Sequence, residues 1–166
     1  MEVEEWPKVG ELVVARVTRI EDYGAYVNLE EYGREGLVHI SELSSTWVRR
    51  VEDVVREGQL LVLKVLRVDK RRGHIDLSLK RVSKKEQQEK LREWKRECLA
   101  SSVVSRAAEK LGVDEDELVD AILGGFNTLY QGLEMLLRNP SRFSRKVKLP
   151  AEIVEGLKEI AKHYIR

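Results

Sequence analysis

The chain has 166 residues, 42% hydrophobic and 36% charged, with a formal net charge of +1. That length serves one ordinary domain or two small ones, and no run of about 20 apolar residues is present to span a membrane. Cys98 stands alone and the acidic start MEVEEWPKVGE lacks a signal peptide's apolar segment, so a reducing, cytoplasmic setting is expected.

Charge is unevenly spread. Residues 1–40 carry 4 basic and 9 acidic groups, whereas residues 67–96 carry 12 basic and 5 acidic. A basic band in a nearly neutral protein points to an anionic partner; a solvated helix face accounts equally well for the band's helical half.

Residues 1–83 read as β structure. ELVVARVTRI is β-branched and partly alternating, YGAYVNLEEYGREG predicts a second strand running into a turn at Gly33 and Gly36, and LVHI predicts a third. The 18 residues from Ser41 to Gly58 then separate that strand from the apolar run LLVLKVLRVD. Hairpin loops usually take 2–5 residues, so this connection is set aside as functional or mobile. DKRRG predicts a charged turn, and HIDLSLK a fifth strand with Ile75, Leu77 and Leu79 on one face and His74, Asp76 and Ser78 on the other. Five short strands with one long connection between the third and fourth fit an OB-type barrel.

Near Ser83 the period changes. Ser83 and Glu86 have capping-box spacing. Leu91, Trp94 and Cys98, then Val104, Ala107, Ala108 and Leu111, make a helical stripe that Gly112 ends. DEDELVDAILGGF, NTLYQGLEMLLRNP and PAEIVEGLKEIAKHYI predict three more helices, the second ending before Pro140. The expected fold is thus a multidomain α and β chain: a five-stranded barrel over 1–84 followed by an all-α helical domain over 85–166.

Tyr23 and Tyr26 bracket Gly24 and Ala25. Three residues apart on a strand they face opposite sides, unless a bulge at Gly24 brings them together. His39, the basic turn Lys70, Arg71 and Arg72, and His74 belong to the same barrel. Aromatic rings stack on bases and cations neutralise phosphates, so the set predicts a groove for single-stranded RNA. Chemistry of other kinds has no motif here. There is no GxxxxGK[ST], G-x-S-x-G or H-E-x-x-H; Gly124 and Gly125 lack an accompanying lysine and serine. Three scattered histidines and one cysteine make no zinc site. Asp114 and Asp116 suit a helix start. The expectation is a non-enzyme with no metal and no cofactor.

GELVVARVTRIEDYGAYVNL, EGLVHISEL and VLKVLRVDKRRGHIDLSLK resemble the RNA-binding domain named after ribosomal protein S-one. That resemblance implies a nucleic-acid face lined by Tyr23, Tyr26, His39 and Asp69, with His74 at a position that is basic in the family. The SELS tetrapeptide, the RVDK..G.IDLS..RVS run and the helices after them resemble the alpha subunit of archaeal and eukaryotic translation initiation factor 2. This implies a non-catalytic subunit of a heterotrimer. With beta and GTP-binding gamma subunits, it delivers methionylated initiator tRNA to the small ribosomal subunit. It also implies a fragment without the α/β domain that attaches alpha to gamma. The serine of SELS is a stress-kinase target in the eukaryotic relatives. That marks Ser44 as a candidate phosphorylation site in a regulatory loop with Trp47, Arg49 and Arg50, and Asp76 as a match to the acidic residue used for kinase docking. The other reading is a solvated loop carrying RNA or ribosome contacts, with Trp47 pinning it to the barrel and Asp76 serving the barrel. Ser45, Thr46 and Trp47 replace the arginines that follow this serine in those relatives. Two other readings stand beside this one: a protein-interaction module built on the barrel, and a general single-stranded RNA-binding protein.

Overall fold

The computed structural model describes residues 5–165. Strands β1 (Leu12–Glu21), β2 (Gly24–Leu29), β3 (Arg34–His39), β4 (Leu60–Asp69) and β5 (His74–Ser78) close a barrel in the order β1-β2-β3-β5-β4. All pairs are antiparallel except β3 with β5. A parallel pair needs a crossover, and the long connection after His39 supplies it together with β4. Inward residues alternate along the strands: Val13, Ala15 and Val17, then Leu61, Leu63 and Val65, then Ile75 and Leu77, all buried.

Two bulges interrupt this alternation, between Val17 and Arg19 on β1 and between Val65 and Arg67 on β4. Each inserts one residue and switches which face the following residues take. Arg19 and Arg67 would follow the buried valines inward; the bulges turn them out, and Ile20 and Val68 pack on the core instead.

Helices α1 (Lys84–Leu111), α2 (Glu115–Leu123), α3 (Leu129–Arg138), α4 (Pro140–Lys146) and α5 (Ala151–Ala161) follow. The expected capping box is present: Ser83 Oγ accepts the Glu86 N–H at 3.1 Å, and Glu86 accepts the Ser83 N–H at 2.9 Å. The Ser83 N–H holds the Glu86 carboxyl below the usual range. The first turns of α1 cover outward-facing Val14 and Val62, with Gln87 bonding both backbone groups of Val62 at 3.1 and 2.8 Å. Packing divides the chain at Arg92/Glu93, inside α1. The second unit has its own core, including Val104, Leu133, Phe143 and Leu157. Glu97 crosses to cap α3, accepting the Leu129 and Tyr130 N–H groups at 2.9 and 3.0 Å.

Several expectations need correction. Gly36 lies inside β3, not in a turn; a Cβ there would sit 2.4 Å from Leu77 Cδ1. Among the described residues five α-helices replace four, because Pro140 starts α4 as well as following α3; its missing N–H is no loss at a first helical position. Cys98 is exposed, since the buried stripe of α1 begins at Ala100. Ser78 is fully buried rather than on an open face, because the turn around Glu42 folds over it. Among the described residues no helix is long and apolar enough to cross a membrane, and no cluster of three or more His, Cys, Asp or Glu suits a metal ion.

Candidate nucleic-acid interface

Register alone builds the candidate face. Arg19 stands opposite Tyr26, Tyr26 opposite Leu37, Leu37 beside Asp76, and Asp76 opposite Arg67. These five residues form one outward row crossing all five strands, alternating with the buried positions of the core. Arg19 covers the Tyr26 ring, its Cζ 4.1 Å from the centroid, and Arg67 pairs with Asp76 at 3.6 Å. Tyr26, Glu35, Leu37, His74 and Asp76 line a cleft of ≈ 140 Å³. In the flanking rows His39 opposes Gly24, and His74 opposes Asp69.

Tyr23 and Tyr26 do converge, though not through a bulge at Gly24, which is in register with both neighbours. Tyr23 sits in the turn after β1 and is 46% exposed; Tyr26 lies within β2. Their hydroxyls are 2.8 Å apart and their rings meet edge to face at 6.1 Å between centroids. The shared hydrogen bond raises the Tyr23 phenol above its ordinary value. Gly24 matters for close approach instead. A Cβ there would lie 2.3 Å from the Val38 carbonyl oxygen, so only glycine lets β3 come this near. Thr18, the residue inserted by the bulge, donates its hydroxyl to the Tyr26 carbonyl at 3.2 Å.

His39 is exposed at the end of β3. Its Nδ1 accepts the Ser41 N–H at 3.1 Å, capping the short 3-10 turn Ile40–Glu42, which leaves Nε2 for a ligand. Asp69 organises the basic hairpin, its Oδ1 accepting the Arg72 N–H at 3.2 Å. Lys70, Arg71, Arg72 and His74 are all exposed. Sequence reasoning missed Lys8, Arg19 and Arg67. Lys8 and Arg67 join Lys70 and Arg71 around an open groove of ≈ 700 Å³. Strict alternation would have buried both arginines; only the bulges reveal them.

The long connection is anchored at both ends and open in the middle. Leu43, Val51 and Val55 are buried in the barrel core. The Glu42 carbonyl accepts the Leu79 and Lys80 N–H groups at 2.9 and 3.0 Å, and its carboxylate takes two bonds from Arg81 at 3.1 and 3.2 Å. Burial works to raise the Glu42 carboxyl, but Ser78 and Arg81 outweigh it and hold it below its ordinary value. Ser44 is half-buried and its Oγ accepts the Thr46 N–H at 3.2 Å. Trp47 is 84% exposed, so it does not pin the loop; Leu43, Val51 and Val55 do that. Arg49 and Arg50 are exposed, Arg50 pairing with Asp53 at 3.3 Å, while Asp76 belongs to the outward row.

Known proteins share this arrangement. The family model for the S1 RNA binding domain matches residues 7–80. The chain is 44% identical over 166 residues to translation initiation factor 2 subunit alpha of Pyrococcus furiosus, covering 97% of this chain and 60% of that protein. It is 42% identical to the subunit of the same name from Methanocaldococcus jannaschii, again over 97% of this chain, and 62% of that protein. The chain thus spans about 60% of the length of the curated relatives it matches. Among solved structures, the intact alpha subunit of Pyrococcus abyssi superposes with a TM-score of 0.84 at 41% identity, over 99% of this chain and 64% of that one. A chain from the Pyrococcus horikoshii a/eIF2alpha–aDim2p–rRNA complex superposes with a TM-score of 0.79 at 42% identity, over 98% of this chain and 99% of that one. The barrel, the helices that follow it in sequence and these likenesses agree: the chain belongs to the translation initiation factor 2 alpha-subunit family.

Proposed function

We propose that this chain is the RNA-binding part of an initiation factor 2 alpha subunit and that it grips RNA through the outward row of its barrel without transforming it. The observation that carries the reading is the convergence of Tyr23 and Tyr26 beside Arg19 and Arg67 on one face. Rings stack on unpaired bases, and the hairpin cations Lys70, Arg71 and Arg72 hold the phosphates that follow. His39 through Nε2, and His74 and Asp69 at the hairpin, complete the contact set. The RNA is initiator tRNA. In the whole factor, the beta and gamma subunits and the small ribosomal subunit are its protein and ribosomal partners, in the cytoplasm, and the barrel and helical domain act as a binding unit with no turnover of their own.

Titrating labelled initiator tRNA against the chain at several salt concentrations tests this. Affinity falls with salt, and K70A/R71A/R72A flattens that dependence by up to roughly 3 units of slope if each cation meets a phosphate. An unaltered slope removes the hairpin from the interface. Equal affinity for tRNA and for any unstructured RNA would favour the general single-strand reading instead.

One observation favours a protein-docking role for the connection: Trp47, an exposed indole between Ser44 and Arg49. Phosphorylation of Ser44 by a kinase would add about −1.5 to −2 charges to the loop that also carries Arg49 and Arg50, at the oxygen that now accepts the Thr46 N–H. Salt-insensitive capture of a partner protein, lost in W47A, would support that role.

A further inference from the structure

The cleft on the β3–β5 side of the outward row has a composition that phosphate binding does not explain. Glu35, His74 and Asp76 surround Tyr26 and Leu37 there, and no lysine or arginine is among the lining residues. The cations gather elsewhere, with Lys8, Arg67, Lys70 and Arg71 bordering the open groove. Carboxylates repel a phosphate chain, so two of them on a face that grips RNA call for another role. Asp76 has one, since Arg67 pairs with it at 3.6 Å. Glu35 has none of that kind. It is exposed, and among the described residues no hydrogen bond or ion pair occupies its side chain, although Arg19 feels its charge.

Strand register places Glu35 at the cleft. Glu35 and Leu37 stand two positions apart on β3 and share a face, as do His74 and Asp76 on β5. β3 and β5 run parallel with Leu37 beside Asp76, which sets Glu35 and His74 together, two positions back on each strand. Tyr26 lies across from Leu37, and Arg19 covers its ring from the β1 side. The cleft is thus a bed of one ring and one leucine with a carboxylate and an imidazole at the same end. Its ≈ 140 Å³ is well below the roughly 300–1,000 Å³ of sites that enclose a drug-sized ligand, and suits a single flat ring system.

Bases differ in what they offer an acceptor. On its Watson–Crick edge guanine presents two adjacent donors, N1–H and the N2 amino group, which meet one carboxylate as a fork; its O6 beside them accepts from an imidazole N–H. Adenine and cytosine present one amino group next to an acceptor nitrogen. Uracil presents one N–H between two carbonyls. Each of these three sets a lone pair against the carboxylate. Proteins read unpaired bases on this edge while a ring or apolar surface carries the base. Resting on the barrel reading, we propose that the Tyr26–Leu37 cleft is a single-base pocket selective for guanine, and that Glu35 is the residue that determines the choice.

The test measures the affinity of the whole chain for an oligouridylate of about 12 nucleotides and for the same oligonucleotide with one central guanine, adenine, cytosine or inosine. Guanine is expected to bind roughly fivefold tighter or more than uracil at that position, the value of one bidentate base contact. Inosine, whose base lacks the N2 amino group, should lose most of that gain. E35Q keeps the side chain's size and is expected to abolish the guanine-to-uracil ratio, whatever the loss of a negative charge does to total affinity. Y23A, whose ring lies outside the cleft lining, should weaken every probe and keep the ratio. Equal affinity of the parent chain for all the probes, with Y23A weakening them all, overturns the pocket and leaves the barrel reading standing; no binding of any probe overturns both. A guanine ratio that survives in E35Q, or that D76N abolishes in its place, overturns the assignment to Glu35.

Discussion

The barrel face and the exposed face of α4 are assembled in opposite ways, and their chemistry differs accordingly. On the barrel, residues 19, 26, 37, 67 and 76 become neighbours only through strand pairing. That pairing sets Arg67 by Asp76, while Arg19 lies by Glu21, two positions along its own strand. Arg19 and Arg67 are partnered, so within this row the tyrosines supply the distinctive contact, while Lys70 and Arg71 stand exposed on the neighbouring hairpin. On α4, helical spacing within a stretch free of acids collects the exposed cations Arg142, Arg145 and Lys146. Such a surface is governed by charge alone. Selectivity for unpaired bases is therefore expected on the barrel face.

The largest expected effect strikes the platform of α4. Phe143→Ala empties a fully buried site and should cost about 3–5 kcal/mol in urea denaturation. A loss under about 1 kcal/mol would mean the stack on Phe126 is not what holds α4. Next comes Gly24→Ala, which drives a methyl into the Val38 carbonyl and should cost about 1–3 kcal/mol while loosening the tyrosine pair. Unchanged melting of that variant would show that β2 and β3 can separate without penalty. Tyr26→Ala should weaken oligouridylate by about 1–3 kcal/mol, the value of one stacked base. Unchanged affinity would take that ring out of the barrel's contacts.

Acid should act on the barrel through Glu42. Its folded carboxyl lies below its ordinary value, near 4.3 in an unfolded chain. Glu42 therefore contributes stability above that pH, and the contribution disappears as pH falls through the carboxylate range. Chemical denaturation between about pH 6 and 3 should show a shallower decline for E42Q than for the parent protein. Equal slopes would assign acid sensitivity to other groups. The smallest effect is expected at Trp47: with its indole 84% exposed, W47A should shift stability by no more than about 0.5 kcal/mol.

Much of this architecture was legible from local pattern. The Ile75/Leu77 alternation, the Ser83–Glu86 box and the Val104–Ala107–Ala108 stripe are short-range signals, and each corresponds to an observed element. Tyr23, His39 and the hairpin cations, legible as candidate binding residues, are exposed because they sit in turns or at strand ends. Arg19 and Arg67 were not, since a bulge leaves no reliable mark in one sequence yet reverses every side chain after it. Ser78 was misplaced because its cover comes from residue 42, 36 positions earlier. Helix α4 escaped notice because Pro140 reads equally as a stop and as a start.

Periodicity, capping and turn chemistry in the 166 residues were enough to determine a five-stranded barrel followed by helices, and a family resemblance built on its motifs. Those signals act between residues a few positions apart, so the chain itself carries them. Which side chains share a face was decided only when the barrel closed and α4 docked through Phe143. Neighbours across strands, and acids that do or do not reach a cation, depend on contacts between residues far apart in the chain.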